Sequence, residues 1–231
     1  MTAARRFGIL GGTFDPIHLG HVAVAEAARD HLALDVVWIV PTLVPPHRAS
    51  GPAASAYHRY AMAALACADR PGLEASDIEL DRPGPSYTAD TLRRLHDAGR
   101  AAWQLFFITG ADAFAEIATW RDYPEVVSLA NFVVVSRPGL PATALPERLP
   151  ALAARMRRAD RSRATVVDDL ETHIHLLDCA TPDVSSTHVR AHIRSGRPIT
   201  GLVPSSVSDY IQRHGLYQVP GNPVRSTDNG E

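Results

Sequence analysis

Short apolar runs alternate with longer segments along the first 136 residues of the chain. The apolar runs are residues 7–10, 35–40, 103–109 and 131–136. Runs of this length are typical of strands that are buried on both faces of a parallel sheet. The segments between them that we predict as helices are residues 22–32, 57–68 and 88–98. This alternation predicts an α/β fold with a Rossmann-like, doubly wound parallel sheet.

The later part of the chain has shorter elements. Apolar stretches predict short strands at residues 76–80, 165–167 and 174–177. Residues 186–195 and 205–214 are predicted as short helices. We expect these helices to form a small C-terminal cap over the edge of the sheet.

The domain organisation follows from these elements. We predict a single α/β domain over residues 1–217, with its C-terminal helical part at about 184–217. Residues 218–231 are polar, contain proline and glycine, and are expected to be disordered. Residues 140–163 carry prolines and a run of arginines, and we predict a surface insertion with a solvated, basic helical face.

The first predicted strand leads into a helix through residues 11–21, Gly-Gly-Thr-Phe-Asp-Pro-Ile-His-Leu-Gly-His. Unpaired N–H groups and the helix dipole make such a junction receptive to anions. Two adjacent glycines let the backbone approach a bulky ligand. His18 and His21 are three residues apart, so both imidazoles can face one point. The stretch lacks the Gly-Lys-Ser/Thr of a P-loop and the Gly-x-Gly-x-x-Gly of dehydrogenases, and it suits a polyphosphate.

A second stretch with anion-binding character lies near the end of the chain, Val-Ser-Ser-Thr-His-Val-Arg at residues 184–190. Ser186 and Thr187 begin a predicted helix, and Arg190 follows one turn later. Hydroxyl groups, N–H groups and a guanidinium can then point in one direction, which also suits a phosphate.

Composition and charge limit the kinds of binding partner and the cellular location that we expect for this chain. The net charge is −2, which does not indicate a broad nucleic-acid surface. All 23 basic residues are arginine, so any phosphate clamp here uses a planar, two-pronged donor. Cys67 and Cys179 belong to no partner motif, which is typical of buried thiols in a reducing cytosol. No signal peptide or long apolar span is visible, so we expect a cytoplasmic protein without a membrane partner.

Both stretches resemble the signatures of the nucleotidyltransferase superfamily, although Val184 stands where that superfamily usually has isoleucine. The middle of the chain is similar to bacterial nicotinate mononucleotide adenylyltransferases. The residues that carry this likeness are 82–92 (Arg-Pro-Gly-Pro-Ser-Tyr-Thr-Ala-Asp-Thr-Leu), 110–112 (Gly-Ala-Asp), 120–123 (Trp-Arg-Asp-Tyr) and 136–139 (Ser-Arg-Pro-Gly). The resemblance spans roughly residues 7–217.

The resemblance implies transfer of the adenylyl group of ATP to nicotinate mononucleotide. The products would be nicotinate adenine dinucleotide and pyrophosphate, on the route to NAD. The mononucleotide phosphate would attack the α-phosphate of ATP directly and in line. The implied cofactor is Mg²⁺, and no metal-ligating side chains are implied.

The resemblance also assigns roles to individual positions. The implied catalytic residues are His18, His21 and Arg190. The implied ATP-binding residues are Gly11, Gly12, Thr13, Phe14, Arg48, Gly110, Asp112, Ser186, Thr187 and Arg190. The implied mononucleotide-binding residues are Tyr87, Thr88, Trp120 and Arg137. Arg48 ends a Pro-Pro-His-Arg segment whose last residue is usually lysine in the family, which keeps the charge and changes its geometry.

Within these roles, Asp112 would accept hydrogen bonds from a ribose. Thr88 and the nearby backbone would bind the nicotinate carboxylate, and Trp120 would stack on the pyridine ring. Each has a purely structural alternative: Asp112 and Thr88 are also suited to capping a helix, and Trp120 to packing in the core.

Other functions stay open at this point. A pantetheine-phosphate adenylyltransferase, or a cytidylyltransferase for a lipid or polyol head group, would share the His-x-x-His but would not need Ser-Tyr-Thr or Trp120. A non-catalytic nucleotide-binding module is a second alternative. A zinc protein is a third, since the chain has 11 histidines, although their spacing does not match a zinc motif. A homo-oligomer also stays open.

Overall fold

A computed structural model describes residues 5–46, 51–137, 139–159 and 171–218. The strands are β1 (Phe7–Gly12), β2 (Val36–Pro41), β3 (Leu73–Ala75), β4 (Leu105–Gly110), β5 (Asn131–Val135), β6 (Met156–Arg158) and β7 (Ile174–Leu177). They form one sheet in the order β3-β2-β1-β4-β5-β7-β6, and every neighbouring pair is parallel. The order reverses between β1 and β4, so their carboxyl ends open the crevice where α/β sheets bind ligands. The predicted doubly wound sheet is therefore confirmed.

The helices cover both faces of this sheet. They are α1 (Leu19–Leu32), α2 (Ala56–Cys67), α3 (Thr88–Asp97), α4 (Ala111–Ala115), α5 (Leu145–Arg148), α6 (Ser186–Arg194) and α7 (Ser205–Arg213). Short 3-10 turns add Ala102–Gln104, Ile117–Thr119, Glu125–Ser128, Ala142–Ala144 and Pro150–Arg155.

Strand β5 shows how the core is divided. Val133 and Val135 face the layer formed by α1, α2, α6 and α7. Phe132 and Val134 face the layer formed by α3, α4 and α5. All four are fully buried, and burying an apolar side chain of this size stabilises the fold by about 1.5–3 kcal/mol. The two-sided core rigidly places the carboxyl ends of the central strands.

Three predicted elements differ in position. The predicted strand at 76–80 is wrong, because Leu73 pairs with Val37 to make β3 and the chain then turns, with Leu80 N–H bonded to the Asp77 carbonyl at 2.7 Å. Helix α1 begins at Leu19 rather than at residue 22. The C-terminal helices are present, but α7 packs along α2 on one face rather than over an edge strand.

The predicted surface insertion is wrong in part: Arg157 and Arg158 are exposed as predicted, but they lie on a strand rather than a helix, and other residues of the segment belong to the core. Leu145 and Leu152 are buried in the core, and Met156–Arg158 forms the edge strand β6. Arg155 is not a solvated side chain, because its guanidinium bonds the Val127 carbonyl at 2.7 Å and Thr172. The predicted strand at 165–167, residues 160–163 and the tail from residue 219 lie outside the described residues.

None of the described helices combines the length and the apolar character that crossing a membrane requires.

Candidate active site

The turn from β1 into α1 carries the first anion-binding stretch. Phe14 adopts a left-handed backbone conformation (φ 49°) with its ring 98% buried beneath the turn. A Cβ on Gly12 would lie 2.9 Å from that ring, so only glycine fits without moving Phe14. The Phe14 ring therefore packs closely against the end of β1. His18 is the N-cap residue of α1, without a side-chain capping hydrogen bond.

His18 and His21 lie together at the start of α1. Their rings stack with centroids 3.6 Å apart and planes inclined by 24°. The backbone N–H of His18 donates to His21 Nδ1 at 3.3 Å. His18 is buried, and its Nδ1 has no hydrogen-bond partner among the residues that the structure describes. A buried nitrogen of this kind is suited to a ligand, because an unsatisfied polar atom costs free energy.

Both imidazoles are neutral at pH 7. Burial, and then the positive charge of Arg137, lower the pKa of His18 to about 4. Burial, the neighbouring His18 and Arg137 hold the pKa of His21 well below its ordinary value. Neutral rings can donate N–H hydrogen bonds to phosphate oxygens, and a bound polyphosphate would favour their protonated forms.

This environment makes stability depend on pH. A histidine whose pKa is depressed in the folded state binds its proton in the unfolded chain first, so stability falls as pH drops from about 6.5 towards 4. For His18 we expect a loss of about 1–2 kcal/mol between pH 7 and pH 5. Urea unfolding at the two pH values measures the loss, and NMR should show the His18 ring titrating near pH 4. A ring that titrates near pH 6.5 would contradict the buried geometry.

The second anion-binding stretch lies directly against the first. Arg190 Nη1 donates to the Asp15 carbonyl at 2.6 Å, across 175 positions of sequence. Ser186 Oγ donates to the Pro16 carbonyl at 2.8 Å, and Arg190 Nη2 donates to Thr187 Oγ1 at 3.3 Å. Folding therefore brings the start of α6 and the start of α1 to one place.

A third group of site residues lies at the ends of β4 and β5. Arg137 Nε is 3.7 Å from Asp112 Oδ1, and the Asp112 side chain is 68% exposed. A Cβ on Gly110 would fall on both of these atoms, so glycine is needed where they meet. Arg137 also acts on the histidines through its charge. Arg137 therefore lies close to Asp112 and near enough to His18 and His21 for its charge to lower their pKa values.

A cleft of about 950 Å³ lies across the carboxyl ends of the strands, and its lining includes Ala113, next to Asp112, but not His18, His21, Arg137 or Arg190. At one end it is lined by Gly11, Gly12 and Thr13. At the other end it is lined by Tyr87, Thr88, Trp120 and Arg121. The glycine turn and the positions implied for the mononucleotide therefore share one continuous cleft.

The far end of the cleft is formed by the start of α3. Thr88 is the first residue of that helix and Tyr87 is its N-cap, without a side-chain capping hydrogen bond. Thr88 is therefore not the cap that the sequence suggested. Trp120 contacts Phe107 and Phe132 edge to face, with centroids 6.0 and 6.3 Å away, while it also lines the cleft. One ring thus serves both the core and the cleft wall.

Comparisons with known proteins match this arrangement. A family model described as cytidylyltransferase-like matches residues 9–192. The probable nicotinate-nucleotide adenylyltransferase of Roseiflexus sp. (strain RS-1) is 46% identical over 213 residues, which cover 91% of this chain and 97% of that protein. The protein of the same name from Desulfatibacillum aliphaticivorans is 41% identical over 220 residues, covering 92% and 99%. The chain belongs to the nicotinate-nucleotide adenylyltransferase family.

Solved structures share the fold. The Plasmodium falciparum nicotinic acid mononucleotide adenylyltransferase complexed with NaAD superposes with a TM-score of 0.71 and 16% identity, covering 93% of this chain and 98% of that one. The same enzyme complexed with APC gives a TM-score of 0.68 and 17% identity over the same shares.

Sequence reasoning missed a buried arginine that holds the cleft of this adenylyltransferase together. Arg59 is 1% exposed, and its guanidinium donates to four carbonyls. The acceptors are Thr13 (2.7 Å), Thr42 (2.6 Å), Leu43 (3.2 Å) and Ala54 (3.3 Å). Arg59 lies on the same helix face as Met62 and Ala63, and a charge on an apolar helix face was the signal available in the sequence.

Asp15 is the second missed residue. Its carboxylate accepts the N–H groups of Ala53 and Ala54 at 2.8 and 3.0 Å, and the hydroxyl of Tyr217 at 3.0 Å. Asp15 is 1% exposed and lies 3.8 Å from Arg190 Nη1. It therefore ties the phosphate turn to the loop before α2 and to the end of the described chain. Arg48, the remaining implied ATP-binding residue, lies outside the described residues.

Proposed function

We propose that this chain transfers the adenylyl group of ATP to nicotinate mononucleotide, which gives nicotinate adenine dinucleotide and pyrophosphate. The observation that carries the proposal is the single cleft that joins the Gly11–Thr13 turn to Tyr87, Thr88 and Trp120. Such a cleft can hold a triphosphate at one end and a pyridine mononucleotide at the other. The names of the relatives, which are nicotinate-nucleotide adenylyltransferases, support the same substrates.

The chemistry requires no covalent enzyme intermediate. A phosphate oxygen of the mononucleotide attacks the α-phosphorus of ATP, one new P–O bond forms, and the bond to the β-phosphate breaks. The protein holds the reactants in line and offsets the charge that develops. His18 and His21 donate neutral N–H groups to the reacting phosphate, and Thr187 and Arg190 hold the departing β and γ oxygens.

The remaining ATP contacts follow from the geometry of the glycine turn. Backbone N–H groups of Gly11, Gly12, Thr13 and Phe14 line the phosphate channel. Ser186 holds the turn in place through Pro16. Asp112 is exposed at the end of β4, where its carboxylate can accept hydrogen bonds from a ribose, and Gly110 leaves room for it. Arg137, which the resemblance implies for the mononucleotide, lies 3.7 Å from Asp112, and its charge acts on His18 and His21, which supports a contact with substrate phosphate.

On the mononucleotide side, the start of α3 attracts the nicotinate carboxylate. The helix dipole and the first N–H groups favour a negative charge there, beside Tyr87 and Thr88. Trp120 offers a ring face for the pyridine. A carboxylate is therefore preferred over an uncharged amide in this niche.

Trp120→Ala should raise the KM for nicotinate mononucleotide by about ten-fold or more, because ring stacking on a base contributes about 1–3 kcal/mol. The KM for ATP should change little. Pyrophosphate release at varied concentrations of each substrate measures both. Trp103→Phe, in the 3-10 turn before β4, is the matched control. Equal effects on both substrates would remove the stacking role.

We propose that Mg²⁺ arrives as the complex with ATP. The residues that the structure describes contain no group of three His, Cys, Asp or Glu side chains that could hold an ion. Mg²⁺ is often bound mainly by substrate phosphates and water, which this site can accommodate. The ion would neutralise triphosphate charge, and the residues named above need not ligate it.

The cysteines support a cytoplasmic location. Cys67 and Cys179 are both free thiols. Burial raises the pKa of the Cys67 thiol to about 11, which keeps it unreactive. Unpaired, unreactive thiols are typical of a reducing compartment.

A panel of phosphorylated acceptors tests the proposed substrates. With ATP and Mg²⁺, pyrophosphate release should be fastest with nicotinate mononucleotide and slower with its amide. Pantetheine phosphate and glycerol phosphate should give only background release. A preference for either of the last two acceptors would assign the chain to another branch of nucleotidyltransferases, and ATP binding without turnover would make it a binding module.

A further inference from the structure

Glu79 lies in the turn between β3 and α3 and lines the same cleft as Tyr87, Thr88 and Trp120. The resemblance assigned it no role. It is mostly buried, and one of its carboxylate oxygens, Oε2, is buried without a hydrogen-bond partner among the described residues. Unsatisfied buried carboxylate oxygens are rare, and they are retained where a site needs the group.

The other oxygen of Glu79 binds the start of α3. Thr91 Oγ1 donates to Glu79 Oε1 at 2.6 Å and also contacts the Tyr87 carbonyl at 3.3 Å. The Ser86 side chain acts on Glu79 electrostatically, because it works against the rise in the pKa of that carboxyl group. The carboxylate thus holds the first turn of α3 and the segment that precedes it.

Ser86 extends this connection to the opposite wall. Its Oγ accepts the N–H of Leu43 at 3.0 Å, and its own N–H donates to the Val44 carbonyl at 2.9 Å. The chain after β2 is therefore attached to Ser86, which directly precedes the N-cap of α3, the helix that Glu79 holds through Thr91. These are the segments between which a mononucleotide would lie.

We propose that Glu79 is the positioning residue that fixes the Ser86–Tyr87–Thr88 wall of the cleft for the pyridine mononucleotide. The inference rests on the proposed function. Burial raises the pKa of Glu79, while the side chains of Thr91 and Ser86 act against that rise. The group is held by geometry in spite of the cost of its burial.

The direction in which the KM for nicotinate mononucleotide changes distinguishes a positioning role of Glu79 from an effect of its charge alone. A carboxylate beside an anionic substrate repels it, so removing the charge alone would lower the KM for nicotinate mononucleotide. Removing a positioning residue loosens the wall and raises that KM. The two roles predict opposite results for one substitution.

The experiment measures KM for each substrate and kcat in wild type, Glu79→Ala, Glu79→Gln and Thr91→Val. Glu79→Ala should raise the KM for nicotinate mononucleotide about ten-fold, with KM for ATP and kcat within about three-fold of wild type. Glu79→Gln should restore most of the affinity for nicotinate mononucleotide that Glu79→Ala loses, since its amide oxygen still accepts the Thr91 hydroxyl. Thr91→Val should raise the KM for nicotinate mononucleotide by a smaller factor. A variant that combines Glu79→Ala with Thr91→Val should have the same KM as Glu79→Ala alone.

Glu116→Ala is the matched control, because it removes an exposed carboxylate from the lining of the same cleft. It reports the charge effect alone, and the KM for nicotinate mononucleotide should fall or stay unchanged. The proposal is overturned if Glu79→Ala leaves that KM unchanged or lowers it, or if Glu79→Gln is as damaging as Glu79→Ala. If Glu79→Ala does not fold, Glu79→Gln and Thr91→Val decide the matter. A wild-type enzyme that releases no pyrophosphate would instead refute the proposed function itself.

Discussion

His18→Ala is expected to lower kcat by about 10²–10³-fold, the loss typical of removing one preorganised donor to a developing charge. The reason is geometric, because His18 is buried against His21 with its Nδ1 unpartnered among the described residues, beside the phosphate turn. The KM values should change far less than kcat, because the donor acts most strongly when the α-phosphorus is five-coordinate. Pyrophosphate release under saturating substrates measures the effect.

His18 is also the N-cap residue of α1, although its side chain makes no capping hydrogen bond, so a second variant is needed to separate its effect on the helix from its role in the chemistry. Asparagine is a good N-cap residue but has no imidazole. His18→Asn should be more stable than His18→Ala, because asparagine can cap the helix, and it should remain as inactive as His18→Ala. His31→Ala, at the far end of the same helix, should keep normal turnover. A near-normal rate in His18→Asn would remove His18 from the chemistry.

Arg59→Met is expected to cost about 3–4 kcal/mol of the free energy of unfolding, because it leaves four buried or partly buried carbonyls without their charged donor. For a domain of this size, that loss corresponds to a fall in Tm of about 10 °C. Activity should also fall, since the carbonyls belong to the segments that form the phosphate turn and the cleft wall. Urea unfolding and differential scanning calorimetry measure the loss.

Arg70→Met, in the turn that follows α2, provides the comparison. Arg70 donates to one carbonyl, that of Ala66, at 2.7 Å and forms a partly exposed ion pair with Glu26 at 3.5 Å, so its loss should cost about 1 kcal/mol or less. The loss of unfolding free energy in Arg59→Lys should lie between those of Arg70→Met and Arg59→Met. An ammonium group cannot bond three separated segments in the way that a guanidinium does. Equal stability of Arg59→Met and Arg70→Met would show that the buried network contributes little.

The sequence predicts the central sheet well because its strands are local and strongly apolar. Phe106, Ile108 and Val134 lie in uninterrupted apolar runs, and such runs have few alternatives to a buried strand. The two phosphate stretches are likewise visible in the sequence, since each is a short motif at a helix start. Their meeting through Arg190 and Asp15 is a contact across 175 positions, which local periodicity cannot indicate.

The edges of the sheet were harder to predict. Strands β3 and β6 have three residues each, and their positions are set by pairing with β2 and β7 rather than by their own apolar pattern. Leu145 and Leu152 are buried by packing against distant parts of the chain, which a local pattern does not show, so their segment resembled a surface insertion. Arg59 and Asp15 act through backbone carbonyls and N–H groups, which a sequence pattern does not display.

The most direct test of the central claim follows the oxygen atoms of the acceptor. The acceptor is nicotinate mononucleotide labelled with ¹⁸O in its three non-bridging phosphate oxygens. It is incubated with ATP, Mg²⁺ and the enzyme, and the masses of the products are measured by mass spectrometry. Direct attack on the α-phosphorus predicts nicotinate adenine dinucleotide that retains all three labels, together with unlabelled pyrophosphate. Absence of the dinucleotide, or loss of one label from it, would contradict a single cleft that joins the two substrates for direct transfer.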